Sequence, residues 1–226
     1  MRILENNLIS AFEDRRAERF TMVQRQIVAR GIKNRRVLLA MRTLPRHFFV
    51  PEAYSDYAYD DCPLPIGFGQ TISQPFMVAY MLEALFLTGS EHVMEVGTGS
   101  GYQTALLSML ADTVVSIERI APLALRAERL LHELNIGNAR IMIGDGYNGF
   151  SAGAPFDAIL VSAAPTFIPP LLAGQLNEDG GRMILPMGDF GAQSLVRITR
   201  NGDDLMVEDL MEVAFVPMIQ GLSDLE

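Results

Sequence analysis

Apolar positions along the chain change their spacing near residue 91. Within residues 12–30 apolar side chains recur at helical spacing, and Gly31 is suited to end that helix because glycine readily adopts the left-handed conformation. Asn34 can cap a second helix, which must end before Pro45 because proline restricts the residue that precedes it. The pattern therefore predicts a helical N-terminal region.

Beyond residue 91, short apolar and β-branched runs alternate with helical stretches. The predicted strands are His92–Val96, Thr113–Glu118, Arg140–Ile143, Asp157–Ser162 and Gly181–Met187. The predicted helices are Tyr102–Leu110, Leu123–Leu134 and Ile168–Gln175. Asn201-Gly202 is a strong hairpin signal and predicts two further strands, at 194–200 and 205–215. Alternating strands and helices favour a parallel sheet, so we predict an α/β fold with a mostly parallel seven-stranded sheet and an antiparallel edge.

The division of the chain follows from the same pattern. We predict one domain over residues 1–226, since 49% of the residues are hydrophobic and can form a sizeable core. Residues 1–60 form a helical extension, 61–90 a polar loop with a following helix, and 91–226 the α/β core.

The net charge excludes some partners. The 18 basic and 27 acidic residues give a charge of −9, which repels phosphate backbones, so no nucleic-acid partner is expected. An anionic substrate must find a locally positive site against that field. No segment reaches the roughly 18 apolar residues of a membrane span, so no membrane partner is expected either.

Cysteine and histidine usage adds little chemistry. The single cysteine, Cys62, cannot form an internal disulfide, which favours a reducing cytoplasm. The sequence does not determine the oligomeric state, and a monomer is favoured. The three histidines are widely separated and show no ligand spacing. The acidic residues Asp56, Asp60 and Asp61 fit loop solvation better than cation binding, so no metal is predicted.

A glycine turn follows the first predicted core strand. Gly97-Thr98-Gly99-Ser100-Gly101 removes Cβ atoms where backbone can approach a ligand at the carboxyl end of a strand. Such a turn can also be only a tight connection. The dinucleotide fingerprint requires a third glycine one residue further on, where this chain has Tyr102, so the spacing disfavours a dinucleotide.

Two acidic residues follow the next two strands. Glu118 ends the second strand and can accept hydrogen bonds from both ribose hydroxyls of an adenosine. Asp145, within Gly144-Asp145-Gly146, follows the third strand and can accept the adenine amino group. The turn and the two acids together resemble the S-adenosylmethionine-dependent methyltransferases, which implies that cofactor and a Rossmann-like fold. Where amine-methylating relatives often carry Asn/Asp-Pro-Pro-aromatic, this chain reads Ser162-Ala163-Ala164-Pro165, which disfavours an amine acceptor.

Further motifs resemble one family of these enzymes, the protein-L-isoaspartate O-methyltransferases. They are Phe49-Val50-Pro51, Ala58-Tyr59-Asp60, Gly69-Gln70-Thr71-Ile72-Ser73-Gln74-Pro75, Ala154-Pro155-Phe156-Asp157-Ala158-Ile159, Leu185-Pro186-Met187-Gly188 and Phe215-Val216-Pro217. The resemblance spans about residues 20–220, and it departs at Tyr147, where many bacterial relatives have tryptophan.

The resemblance implies methylation of the free α-carboxylate of isoaspartyl residues in damaged proteins and peptides, with D-aspartyl sites left open. It implies Ser73 as the active-site serine, orienting the carboxylate. It implies cofactor binding by Thr71, Ile72, Glu95, Gly97, Thr98, Gly99, Ser100, Gly101, Glu118, Asp145 and Gly146. It implies substrate binding by Ile66, Gly67, Gln70, Ser73, Ala163, Ala164, Phe215, Val216 and Pro217.

Three alternatives stay open at this point. Ser73 could instead, or in addition, cap the helix that begins near Pro75. The segment 215–217 could be an edge strand that only packs. The protein could be a related methyltransferase with another acceptor, such as a small acid or nucleoside, or a binding protein that keeps the cofactor pocket without turnover.

Overall fold

The N-terminal region is helical, but its first helix is not a single α-helix. A computed structural model describes residues 12, 14–189 and 191–223 of the chain. Helix α1 spans Arg16–Met22 and continues as a π-helical segment, Val23–Ile27, and a 3₁₀ turn, Val28–Arg30. Gly31 ends it with φ of 96°, as predicted. The prediction for residue 13 and the start of the 1–60 extension lie outside the described residues.

Helix α2, Arg35–Thr43, has the predicted cap. The Asn34 side chain accepts hydrogen bonds from the backbone N–H groups of Arg36 (3.0 Å) and Val37 (3.3 Å). These donors have no partner inside the helix, so the cap stabilises its first turn. Two 3₁₀ turns, Arg46–Phe49 and Glu52–Tyr57, then lead towards the core.

A small hairpin lies within the segment predicted to be a loop. Strands β1, Leu64–Gly67, and β2, Gln70–Ile72, pair antiparallel ahead of helix α3, Pro75–Ala84. Ile66 and Ile72 are buried, so the hairpin has an inner face. Its short strands and its proline at position 65 hide the alternation that would have indicated it.

The main sheet confirms the predicted architecture. Its strands are β3 His92–Val96, β4 Thr113–Glu118, β5 Ala139–Ile143, β6 Ala158–Val161, β7 Asp179–Asp189, β8 Ala192–Asn201 and β9 Asp204–Val213. Their order is β5-β4-β3-β6-β7-β8-β9, with β3 to β7 parallel and β8 and β9 antiparallel. The remaining helices are α4 Tyr102–Leu110, α5 Ala121–Glu133 and α6 Pro170–Gly174.

Both faces of the sheet are covered. In β3, Val93 belongs to a hydrophobic cluster that includes residues of the N-terminal helices and of α3 and α4. Met94, the next residue, belongs to a second cluster that includes Leu172 of α6. Successive side chains of a strand point to opposite faces, so a strand covered on both faces buries neighbouring apolar residues, as Val93 and Met94 do.

Neither a metal cluster nor a membrane span was found where the structure describes the chain. Across residues 12, 14–189 and 191–223, no group of three His, Cys, Asp or Glu side chains is arranged to hold an ion. Over the same residues, none of the helices is both long and apolar enough to cross a bilayer.

Candidate active site

A cavity of about 780 Å³ opens beside the carboxyl ends of β3 and β4. We call one part of its lining the cofactor wall, formed by Gly97 and Gly99 of the glycine turn with Glu118 and Gly146. We call another part the substrate wall, formed by Gln70, Thr71 and Ser73 with residues 215–217. A cleft at this edge of an open parallel sheet is where such folds bind ligands.

The cofactor wall depends on glycine at its turn. Gly97, Gly99 and Gly101 all have positive φ, of 93°, 55° and 85°. A Cβ on Gly101 would lie 3.0 Å from the Cβ of Ala127 on α5, so the turn also needs glycine for close packing. Only glycine adopts this backbone without strain, which leaves the turn's backbone open to the cavity.

Glu118 is buried at the end of β4 and lines the cavity. Its Oε2 accepts from the backbone N–H of Gly99, and its Oε1 from that of Ile120, both at 2.9 Å. Each carboxylate oxygen accepts more than one hydrogen bond, so the side chain both fixes the glycine turn and retains capacity for ligand hydroxyls.

Asp145 is held in part by Gly221, close to the C-terminus. Its Oδ1 accepts from the N–H of Tyr147 (2.9 Å) and its Oδ2 from the N–H of Gly221 (2.7 Å). Its neighbour Gly146 lines the cavity, whereas Asp145 is not among the lining residues. The Arg119 guanidinium donates to the Gly221 carbonyl at 3.0 Å, so the C-terminal segment bridges the ends of two strands.

Glu95 lies in the interior and does not line the cavity. Its Oε2 accepts from Thr104 and, at 2.6 Å, from Ser116, while its buried Oε1 has no partner among the described residues. The Ser116 hydroxyl also lies 2.5 Å from that of Thr98 in the turn. Burial raises the pKa of Glu95 to about 7. These contacts indicate that Glu95 supports the glycine turn from the interior of the protein.

Ser73 is half-buried and faces the cavity. Among the described residues, nothing hydrogen-bonds to its hydroxyl, while its carbonyl accepts from Arg46 at 2.8 Å. The alternative that Ser73 caps the following helix is wrong, because α3 begins at Pro75 and its N-cap position is Gln74. The hydroxyl is therefore available to a ligand.

Residues 215–217 are pinned in place by long-range contacts. The backbone of Phe215 exchanges two hydrogen bonds with the side chain of Gln193, at 2.6 and 3.2 Å. Ala164 N–H donates to the Val216 carbonyl at 2.8 Å. The alternative of an edge strand does not describe them, because β9 ends at Val213.

The cavity brings together most of the predicted site residues. Those lining it are Gln70, Thr71, Ser73, Gly97, Gly99, Glu118, Gly146, Ala163, Phe215, Val216 and Pro217. A smaller adjoining cavity of about 40 Å³ is lined in addition by Ile72, Thr98 and Ser100. Neither is lined by Ile66, Gly67, Glu95, Gly101, Asp145 or Ala164. Sequence reasoning missed Arg46, Arg119 and Gln193, which act through backbone groups and leave no motif.

The lining fits a nucleoside cofactor. Val96, Ile117 and Ile120 give the cofactor wall apolar surface suited to a purine, beside the carboxylate of Glu118. A Cβ on Gly146 would lie 2.4 Å from the Cγ1 of Val96, so this glycine keeps space that any other residue would fill. The donor set and the space agree with adenosine recognition.

Comparison with known proteins decides the family. Residues 17–223 match the family model described as protein-L-isoaspartate(D-aspartate) O-methyltransferase (PCMT). The chain belongs to this family. Membership confirms the predicted class of enzyme, a methyltransferase dependent on S-adenosylmethionine.

Individual relatives of the PCMT family agree closely with this chain. It is 53% identical over 201 residues to protein-L-isoaspartate O-methyltransferase 2 of Shewanella sediminis, covering 88% of this chain and 82% of the relative. It is 54% identical over 205 residues to the protein-L-isoaspartate O-methyltransferase of Syntrophus aciditrophicus, covering 89% and 94%.

Solved structures of the family share the fold. A protein-L-isoaspartate O-methyltransferase superposes with a TM-score of 0.79 at 26% identity, over 92% of this chain and 67% of that one. A Plasmodium falciparum PCMT in complex with S-adenosyl-L-homocysteine superposes with a TM-score of 0.77 at 26% identity, over 89% and 98%. The second structure is of a family member with the demethylated cofactor bound.

Proposed function

We propose that this PCMT methylates the free α-carboxylate of isoaspartyl residues in damaged proteins and peptides, with Ser73 as the residue that orients the acceptor. Family membership supports the reaction and its substrate class. The single observation that supports the role of Ser73 is that its hydroxyl has no partner among the described residues, while Ser73 lines the same two cavities as Gly97 and Gly99.

The acceptor explains why the site needs no general base. A peptide α-carboxyl group has a pKa of roughly 3.5 and is ionised at neutral pH. S-adenosylmethionine, when bound, supplies an electrophilic methyl group on a sulfonium. The residues of the chain then need only to align the carboxylate, remove part of its water and exclude bulk solvent. Neutral hydroxyl and amide donors suit this task, since a direct arginine contact would stabilise the anion and slow its attack.

The cofactor wall is proposed to hold the nucleoside. Glu118 would accept the ribose hydroxyls, and Gly97 and Gly99 would offer backbone close to the ligand. Gly146 and Ile120 would flank the base. Thr71, Ile72, Thr98 and Ser100, around the smaller cavity, would hold the amino-acid end. Glu95 and Asp145 would act indirectly, by fixing the turn and the C-terminal segment.

The substrate wall is proposed to bind the peptide main chain. Gln70, Ser73 and Ala163 would surround the acceptor, and residues 215–217 would form the facing side of the groove. Ile66, Gly67 and Ala164 would shape this wall from behind.

The experiment is Ser73→Ala, assayed on an isoaspartyl peptide and on its normal aspartyl twin. Loss of a hydrogen bond to a charged group costs about 1.5–3 kcal/mol, so we expect kcat/KM to fall about 10- to 100-fold. S-adenosylhomocysteine affinity should stay unchanged by calorimetry. Ser108→Ala, whose hydroxyl contacts only the Ala105 carbonyl among described residues, is the control. Unchanged turnover by Ser73→Ala would remove the serine from the mechanism.

Methanol release distinguishes the substrate class. Hydrolysis of a carboxyl methyl ester yields methanol, so the wild type should release it with the isoaspartyl peptide and not with the twin. Release from neither peptide would favour a methyltransferase with another acceptor or a binding protein without turnover.

A cytoplasmic location and a monomeric state are proposed from the cysteine content and from one edge of the sheet. The single cysteine favours a reducing cytoplasm. The edge strand β9 carries the exposed acids Asp204 and Asp209, so two copies would repel along it, which supports a monomer. Light scattering in solution tests the monomer directly.

A further inference from the structure

Arg46 is a fully buried arginine directly behind Ser73. Its side chain has no solvent exposure, and its Nε donates to the Ala58 carbonyl at 2.9 Å. Its Nη2 donates to the Ser73 carbonyl at 2.8 Å, and its guanidinium lies 5.0 Å from the ring centroid of Tyr102. One side chain therefore links the N-terminal extension, the glycine-turn helix and the substrate wall.

The positive charge of Arg46 is not neutralised. Among the described residues no carboxylate lies within ion-pairing distance of it, and the nearby Asp61 is paired with Arg30. Its Nη1 and the Tyr102 hydroxyl are both buried, and neither has a hydrogen-bond partner in the part of the chain that the structure describes. Burial lowers the pKa of Arg46 to about 10, so the group stays charged at neutral pH.

A buried cation without a counter-ion is costly, and it requires a reason. The site supplies one, because the chain carries a net charge of −9 while its proposed acceptor is an anion. Arg119 is the one cation among the described residues that line the cavity, and its Nε is committed to the Gly221 carbonyl. A positive charge set behind Ser73 attracts a carboxylate without touching it.

We propose that Arg46 is a positioning residue that holds Ser73 through its carbonyl and attracts the acceptor carboxylate to the Ser73 side of the cavity. The inference rests on the proposed function, since it takes the isoaspartyl carboxylate as the ligand. Arg46 does not line either cavity, so it acts through Ser73 and through its field.

The reaction removes the charge on which this attraction acts. A bond forms between the carboxylate oxygen and the methyl carbon as the sulfur–methyl bond breaks, and the electron pair stays on sulfur. The ester and the thioether are both neutral, so Arg46 favours the substrate over the product. Its charge also stabilises the bound acceptor more than the partly neutralised transition state. Removing the charge should therefore raise KM, and kcat should fall only as far as the position of Ser73 is lost with the hydrogen bond from Arg46.

The test uses two peptides of one sequence, one with the isoaspartyl α-carboxylate and one with an α-carboxamide in its place. Their affinities are measured by calorimetry with the full chain saturated with S-adenosylhomocysteine. The wild type should bind the carboxylate peptide more tightly. Arg46→Gln, which keeps a donor but no charge, should reduce this preference roughly tenfold. Arg46→Lys, measured at pH 6.5, should retain most of it.

Arg126→Gln is the matched control. Arg126 donates to the carbonyl of Ile66, in the hairpin that precedes Ser73, at 2.7 Å, but Arg126 is exposed to solvent. A variant that merely loosens the hairpin should weaken both peptides alike, so this control should leave the preference unchanged. Melting temperature and S-adenosylhomocysteine affinity report whether each variant is folded.

Two results would overturn the inference. One is a folded Arg46→Gln variant that keeps the wild-type preference for the carboxylate. The other is an Arg126→Gln variant that loses the preference as fully as Arg46→Gln. If instead the wild type binds neither peptide, the proposed function fails and Arg46 is not the cause.

Discussion

The two walls of the cavity are built in opposite ways. On the cofactor wall, the Glu118 carboxylate accepts from backbone amides within 19 residues of it in sequence. On the substrate wall, Ser73 and Phe215 are held by Arg46, 27 residues away, and by Gln193, 22 residues away. The Ser73 hydroxyl has no partner within the described chain. The carboxylate of the cofactor wall is thus already bound to backbone amides of the protein, whereas the substrate wall leaves the Ser73 hydroxyl for the ligand.

The largest expected effect concerns the cofactor wall. Glu118→Gln loses a charged acceptor that we assign to the ribose, at a cost of about 1.5–3 kcal/mol, so S-adenosylhomocysteine should bind about 10- to 100-fold more weakly. Calorimetry measures this affinity.

Glu91→Gln is the control for that variant. Glu91 is also a buried glutamate that accepts from backbone amides, those of Thr88 and Gly89, both at 2.8 Å, but it does not line the cavity. The Glu91→Gln variant should have a lower melting temperature and an unchanged affinity for S-adenosylhomocysteine. Equal losses of affinity in both variants would mean that Glu118 only supports the fold.

The next effect tests how far the glycine turn is fixed by packing. Gly101→Ala meets a left-handed backbone and Ala127 at 3.0 Å, while Gly202→Ala meets a left-handed backbone and open space. The backbone alone costs about 1–2 kcal/mol. Thermal melts should show a drop of about 4–8 °C for Gly101→Ala and about 2–4 °C for Gly202→Ala. Equal drops would show that α5 yields to the added methyl group.

The smallest effect concerns Glu95 beneath the turn. Its pKa is raised to about 7 in the folded state from 4.5 in the unfolded chain, so the folded state binds the proton more tightly. Stability from this group is full below about pH 4.5 and is lost as the pH rises through about 7. Glu95→Gln should remove that loss, so its melting temperature relative to wild type should rise by about 2–3 °C between about pH 6.5 and pH 8. A constant difference would show that Glu95 does not titrate in this range.

The fold was largely predictable because its signals are periodic. The strands at 92–96 and 113–118 match their predicted limits, since turns bound runs that are apolar over most of their length. The hairpin β1–β2 was missed because its strands are only four and three residues long. The π-helical segment after α1 gives no pattern distinct from that of an α-helix.

Site residues could be predicted where the function requires a particular residue type at a strand end. They could not be predicted where the role depends only on where the folded chain places a side chain. Glycines at a strand end and an acid at the next strand end are visible in sequence. The sequence does not show whether the Glu95 side chain points into the cavity or into the interior, because both directions give the same pattern of one polar residue within an apolar strand. The role of Arg46 could not be predicted from the sequence, because its hydrogen-bond partners are backbone carbonyl groups, which every residue carries.

The contacts of residues 221–223 have a practical consequence. Gly221 contacts Asp145, and the Ser223 N–H donates to the Arg119 carbonyl at 3.1 Å, which ties these residues to the loops that follow β4 and β5. A purification tag added after Glu226 would follow Ser223 by only three residues and would compete for these tethers. Recombinant protein intended for affinity measurements should carry its tag at the other end.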